Sequence, residues 1–329
     1  MRFIVYGVGA IGGTVAAALA LSGQEVIGIA RGAQLDAIRA DGLLFRTPLC
    51  ESRAIFPCHG DPTEIVFRDN DVIFLAMKTQ DTGPALQRLR DAGVTTQPIA
   101  CAQNGVANER MALRLFPNVY AVTVMMPGSY TVPGEVNSFS VPRHGIFDIG
   151  RYPAGEDEAA TAMVAALERA NFGAFVQPDV MAGKYGKLLL NLRNIMEAAL
   201  GVGEDSGPFY KVVRAEAEAA YRAAGIVWQD RGARDTRRDQ LMQMGEIAGV
   251  TRQGGSSTQS LARGSGSIET DYLNGEIVLL GRLHGVPTPA NAWFCALGRR
   301  LVKEGRKPGS IKPAEIAAGL REAGAPNKR

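Results

Sequence analysis

The sequence predicts an α/β protein, with a Rossmann-type parallel-sheet domain followed by an all-helical C-terminal domain. Three observations carry this. Short apolar strand runs alternate with helix signals through the first half, the pattern of a parallel sheet covered on both faces. A glycine-rich turn joins the first strand to the first helix, and beyond Gln177-Pro178-Asp179 the signals are almost all helical. The 329 residues suit two domains at roughly 150 residues each.

In order, Phe3-Ile4-Val5-Tyr6 reads as a buried strand, Ile11 to Leu21 as a small-residue helix, Glu25 to Ile29 as a second strand and Gln34 to Ala40 as a short helix. Asp71 to Ala76 is a third strand and Pro98 to Ala102 a fourth, followed by helices at Pro84 to Asp91 and Asn108 to Leu115. Further strands are expected at Val119–Val124, Gly145–Ile149 and Ala174–Val176, with a helix at Glu156–Ala170 between the last two. The helical half reads as Val180–Leu200, Pro208–Ala224, Arg234–Gly245, Ile268–His284 and Pro289–Glu304. This gives a dinucleotide-binding domain over 1–177, a helical substrate domain over 178–310 and a peripheral tail over 311–329.

Composition excludes several classes. A net charge of +3 is too mild for a nucleic-acid binder and suits a small anionic substrate. No apolar run reaches the ~18 residues of a membrane span. The start, Arg2 to Ala18-Leu19-Ala20, has the outline of a signal peptide. Gly7, Gly9, Gly12 and Gly13 interrupt its apolar stretch, so a cytoplasmic protein is expected. Cys50, Cys58, Cys101 and Cys295 form neither a C-x-x-C pair nor a metal-type cluster with His59, His144 or His284, which fits free thiols in a reducing compartment. No metal is expected.

Gly7-Val8-Gly9-Ala10-Ile11-Gly12 is a G-x-G-x-x-G directly after a strand. Its first glycine allows the sharp turn, its second lets backbone approach a pyrophosphate, and its third lets helix and strand pack closely. The second strand ends Ala30-Arg31-Gly32 with no acid for a ribose 2′-hydroxyl, and Arg31 can pair a 2′-phosphate instead. NADP(H) is therefore the expected cofactor. Lys78 and Asn104 follow the third and fourth strands, where ligands of parallel sheets sit. Farther on, Lys187, Asn191 and Asn194 stand at i, i+4 and i+7 on a Leu-rich helix, where a polar stripe calls for partners or a ligand. Ser256 and Ser257 follow two glycines and offer hydroxyls to a carboxylate. Glu269 lies where an acid also complements a helix dipole.

With these residues the chain resembles the ketopantoate reductase (2-dehydropantoate 2-reductase) family over about residues 1–305. The motifs are G-V-G-A-I-G at the start, A-R-G at 30–32, M-K-T at 77–79, Q-N-G-V at 103–106, P-G-E-V at 133–136, K-L-L-L-N at 187–191, E-T-D-Y-L-N-G-E at 269–276 and H-G-V-P-T-P-A-N at 284–291. The resemblance implies a cleft between two domains and NADPH-dependent reduction of a 2-keto acid to a 2-hydroxy acid. It makes Lys187 the catalytic lysine, Asn104 and Asn191 substrate-binding, Ser256 or Ser257 the carboxylate binder and Glu269 the acid that orients a substrate hydroxyl. A homodimer is compatible with this reading. Two departures touch the substrate pocket. The family's second asparagine is displaced by one position, at Asn194, without the proline that usually follows it, and the segment from Ser256 to Glu269 is one residue longer when Gln259 is aligned. They leave the reaction type standing and suggest a 2-keto acid other than ketopantoate. The other readings are a related dehydrogenase of a hydroxy or amino acid and a non-catalytic NADP(H)-binding redox sensor.

Overall fold

The computed structural model describes residues 1–230 and 235–325. Its chain forms two packing units. One holds Met1–Lys184 and, among the described residues, 235–251; the other holds 185–230 and 252–325. The sequence places a single boundary near residue 178. Packing instead divides the chain at Lys184 and returns 235–251 to the first unit.

The first unit runs β1 (Arg2–Tyr6), α1 (Ala10–Leu21), β2 (Glu25–Ile29), α2 (Gly32–Asp41), β3 (Leu43–Arg46), β4 (Glu51–Ala54), β5 (Cys58–His59), β6 (Asp71–Leu75), α3 (Thr82–Asp91), β7 (Ile99–Cys101), α4 (Asn108–Leu113), β8 (Val119–Met125), β9 (Gly128–Ser129), β10 (Glu135–Ser138), β11 (Ser140–Pro142), β12 (Ile146–Arg151), α5 (Glu158–Arg169) and β13 (Gly173–Val176). Eight strands join in the order β13-β12-β8-β7-β6-β1-β2-β5. From β5 to β8 they are parallel; β12 runs antiparallel to β8, and β13 parallel to β12.

Strand alternation builds this sheet. Phe3, Val5, Val72, Phe74 and Ala100 enter one buried cluster, while Ile4, Ile73, Leu75, Ile99 and Cys101 enter another. Successive side chains thus point to opposite, equally buried faces, which is why the strands read as continuous apolar runs. After β1 the chain adds β2 on one side and later β6 on the other, so the strand order reverses beside the C-terminal end of β1. Ligands of such sheets bind at that crevice.

Helix α6 (Val180–Asn191) crosses the division at Lys184. The helical half then runs α7 (Asn194–Leu200), α8 (Gly207–Ala223), α9 (Arg237–Leu241), β14 (Met242–Met244), α10 (Ser256–Ala262), α11 (Asn274–His284), α12 (Pro289–Lys303) and α13 (Pro313–Glu322). Several sequence expectations change here. The single helix expected over 180–200 breaks at Leu192-Arg193, where the Arg193 N–H reaches back only to the Leu190 carbonyl, at 3.3 Å. The helix expected over 234–245 is confined to Arg237–Leu241 (Arg234 lies outside the described residues). Met242–Met244 instead pairs antiparallel with β11, and the Arg237 guanidinium holds the carboxylates of Asp148 and Asp235, each at 2.7 Å. Long-range pairing has overridden local propensity. The tail forms α13, which packs so closely on α12 that a Cβ on Gly319 would meet the Trp293 indole nitrogen at 2.3 Å.

Two short sheets were not foreseen: β4-β3-β10-β9 beside α1, and β11-β14. Their strands are two to four residues long, too short to carry a clear period.

Candidate active site

The glycine-rich turn is built by close contact. Gly7 has φ +101°, and a Cβ there would lie 2.6 Å from the Met77 amide nitrogen at the end of β6. At Gly12 a Cβ would lie 2.1 Å from the Gly7 carbonyl oxygen and 2.8 Å from the Ala76 Cβ. The turn can therefore sit against β6 only with glycine at both positions. Gly9 differs: a Cβ there would meet only the Tyr130 ring, at 4.0 Å. Gly9 is the N-cap of α1, with no side-chain cap and no acid in the first helical turn. The first-turn N–H groups of this 12-residue helix are thus left for an anion, beside a glycine that keeps the approach open. This cradle fits a dinucleotide pyrophosphate. Val8 is buried while Ala10 and Ile11 are half-buried along the same turn.

Arg31 is the N-cap of α2 at the end of β2. Its side chain is 85% exposed and lies 3.3 Å from Asp81. Lys78, half-buried, precedes a short helical turn at Thr79–Asp81. The loops after β6 and β7 are joined by hydrogen bonds. The Asn108 amide donates to Thr79 Oγ1 and to the Asn104 carbonyl, each at 3.3 Å, and Gln103 donates to Thr82 Oγ1 at 3.1 Å. Gly105, with φ +81°, turns the chain immediately after Asn104. Asn104 is thus held through its backbone, next to the C-terminal end of β7.

The two lysines of α6 differ sharply. Lys184 is 3% exposed; its ammonium donates to the Cys101 carbonyl at 3.0 Å and forms an ion pair with the fully buried Glu109. Lys187, three residues on, is half-buried. Asn191 closes the helix at 7% exposure, and its Oδ1 has no hydrogen-bond partner among the described residues. A buried amide oxygen left this way costs about 1–3 kcal/mol unless a ligand supplies the donor. Asn194 does not share this helix, because it opens α7 beyond the break. The expected stripe along one helix face is therefore limited to Lys187 and Asn191. Asn194 instead donates to Ser256 Oγ at 3.3 Å.

Ser256 is half-buried at the start of α10, and Ser257 is 2% exposed. The N-terminus of α10 is held by Glu197 of α7, whose carboxylate accepts from the Gly255 N–H and, at 2.9 Å, from the Thr258 hydroxyl. Glu269 is 7% exposed in the short helical turn before α11. The H-G-V-P-T-P-A-N segment has an internal role. Glu216 of α8 accepts from the Ala290 and Asn291 N–H groups and caps α12, with Pro289 in its first turn. Sequence reasoning missed Glu109 and Glu197. Their partners lie 75 and 58 residues away along the chain, and no local spacing marks them.

Among the described residues, no group of three or more His, Cys, Asp or Glu side chains could hold a metal ion. No helix among them is long and apolar enough to cross a membrane.

Sheet topology, glycine cradle and uncapped helix terminus together define a Rossmann-type dinucleotide-binding protein. Two family models match most of the chain: ketopantoate reductase PanE/ApbA over residues 3–154, and ketopantoate reductase PanE/ApbA C terminal over 179–301. The chain belongs to the ketopantoate reductase family, and by that membership it is an NAD(P)-dependent oxidoreductase. It is 30% identical to a 2-dehydropantoate 2-reductase of Caulobacter vibrioides, covering 89% of this chain and 96% of that protein. A PanE/ApbA family ketopantoate reductase from Ralstonia eutropha matches with a TM-score of 0.75 at 29% identity, covering 93% of this chain and 99% of the other. A D-mandelate dehydrogenase crystallised with NADH and anilino(oxo)acetate shares the fold, with a TM-score of 0.77 at 20% identity and the same coverage.

Proposed function

We propose that this protein reduces a 2-keto acid to the corresponding 2-hydroxy acid with NADPH, and that ketopantoate is the substrate to which its family membership points. The observation that carries the reading is the unmet acceptor at the end of α6. Asn191, one turn past Lys187, is buried with an Oδ1 that no described residue satisfies. When bound, the reduced nicotinamide supplies the hydride. The Lys187 ammonium donates a hydrogen bond to the substrate carbonyl oxygen, stabilises the alkoxide charge that develops there and delivers the proton. Asn191 Oδ1 accepts from the substrate or from that ammonium, and Asn104 orients the carbonyl group. Ser256, held by Asn194, binds the carboxylate, with Ser257 as its buried neighbour. Glu269 accepts from a distal hydroxyl.

On the cofactor side, Gly7 to Gly12 hold the pyrophosphate, Lys78 faces phosphate or ribose, and Arg31 pairs the 2′-phosphate, which favours NADPH over NADH. Steady-state kinetics across a panel of 2-keto acids tests the reading. A kcat/KM on ketopantoate on the order of 10⁴ M⁻¹s⁻¹ or above is the expected result. The displaced Asn194 supports the competing choice of a different 2-keto acid, which a better substrate elsewhere in the panel would establish.

A further inference from the structure

We infer that Gln34 is a positioning residue for dinucleotide binding, acting through the glycine-rich turn; this rests on the cofactor role of that turn. Gln34 is the third residue of α2, three past Arg31, and is only 5% exposed. Its amide is used at both ends. Nε2 donates to the Val8 carbonyl oxygen at 2.9 Å, and Oε1 accepts from the Gly134 N–H at 2.7 Å. The chemistry of the two partners fixes the amide orientation, because a carbonyl needs the NH₂ group and an N–H needs the oxygen.

One side chain therefore ties together three segments: the glycine-rich turn, the start of α2 that carries Arg31, and the turn before β10. The far end of this strut is itself fixed. Gly134 has φ +80°, and its carbonyl accepts from the Leu44 N–H of β3 at 2.8 Å. Farther along the same strand, a Cβ on Gly13 would lie 2.6 Å from a Val136 methyl, so β10 bears directly on the second turn of α1.

Holding the Val8 carbonyl has a direct electrostatic consequence. Val8 lies between the two glycines whose backbone surrounds the anion site; the Gly9 N–H of the same peptide plane donates to the Gly7 carbonyl at 2.9 Å, and Gln34 holds the opposite, carbonyl edge of that plane. A carbonyl turned toward a pyrophosphate would set a partial negative charge against it. Gln34 keeps that oxygen occupied inside the protein, so the N–H groups of the first turn of α1 make up the face offered to phosphate. No side chain of the glycine motif can occupy that oxygen, since none carries a donor.

The test uses Gln34→Glu, which keeps the acceptor for Gly134 but sets a carboxylate against the Val8 carbonyl, and Gln34→Leu, which removes both bonds. NADPH affinity is measured by fluorescence titration, and kcat and the keto-acid KM are measured at saturating NADPH. Both variants are expected to bind NADPH about tenfold or more weakly, as loss of a buried hydrogen bond implies, with kcat and keto-acid KM within about twofold of the parent at saturation. An NADPH affinity within twofold of the parent overturns the inference. So does a parallel loss of affinity, kcat and keto-acid KM, which marks general loosening of the fold. Should Gln34→Leu fail to fold, Gln34→Glu decides alone. Failure of the proposed keto-acid chemistry is separate, because it leaves the NADPH titration intact.

Discussion

Two lysines three residues apart show how burial assigns work at the scale of single residues. Lys187→Ala is expected to lower kcat by roughly 10²–10⁴, the scale of losing a general acid, while NADPH affinity stays unchanged in a fluorescence titration. Lys184→Ala is expected to act on stability instead, costing about 3–5 kcal/mol in urea unfolding, because the buried Glu109 carboxylate loses its counter-charge. The candidacy of Lys187 was legible because a cation on a Leu-rich helix calls for a partner. The fate of Lys184 was not, since Glu109 lies 75 residues away along the chain and meets it only in the folded protein. Arg31 is a second case. The missing acid at the end of β2 is the sequence signal for the proposed 2′-phosphate contact, but the salt bridge to Asp81 emerges only in three dimensions. Arg31→Ala is expected to erase most of the difference between NADPH and NADH binding, about 1.5 kcal/mol for a charge-assisted contact in so exposed a setting. The two dissociation constants measured side by side check it.

The elements that place the site divide by how local their causes are. The strand–turn–helix of β1 and α1 was legible because each glycine answers a nearby constraint. Those constraints are unequal, and the inequality can be measured. Gly12→Ala drives a methyl into the Gly7 carbonyl and the Ala76 side chain, an overpacking expected to cost about 1–3 kcal/mol or more in thermal or urea unfolding. Gly9→Ala meets only the Tyr130 ring, at an ordinary contact distance of 4.0 Å, so stability is expected to stay within about 1 kcal/mol, while NADPH affinity falls because the methyl occupies the anion approach. The break between α6 and α7 and the strand β14 were illegible for the opposite reason. Leu192-Arg193 contains neither glycine nor proline, and Met242–Met244 is a strand only because β11 lies beside it.

For the whole molecule, pH dependence of stability falls in a definable window. His144 lies edge-on between the rings of Phe45 and Phe172, at centroid distances of 4.9 and 5.5 Å. Burial, with Arg143 nearby, pushes its pKa down to about 4 from the usual 6.5. The unfolded chain therefore binds a proton between these values while the native protein does not. The contribution of neutral His144 to stability is present in full above about pH 6.5 and is lost as pH falls toward 4, by up to about 3 kcal/mol. Urea unfolding at pH 7.5, 5.5 and 4.5 is expected to show this decline, and His144→Phe to flatten that part of it. A pH profile identical in parent and variant would remove His144 as the cause. The adjacent Arg143 supplies only the smaller cause; the larger one, burial, is not legible around His144, because Phe45 and Phe172 reach it from distant parts of the chain.

The return of 235–251 to the first unit sets a rule for dissecting the protein. The backbone passes between the two units three times, so neither can be released by one cut. A fragment ending at Lys184 would keep all eight strands of the main sheet yet lack β14 and Arg237. Asp148, 1% exposed on β12, would then lose the Arg237 guanidinium that pairs with it, a loss of about 3 kcal/mol, and β11 would lose its strand partner β14 and expose backbone prone to self-association. Such a fragment is expected to be recovered largely as aggregate by size-exclusion chromatography. Grafting 235–251 back through a flexible linker should restore a soluble species. For recombination with relatives, this segment therefore has to travel with the dinucleotide half, although it lies more than fifty residues downstream of the seam.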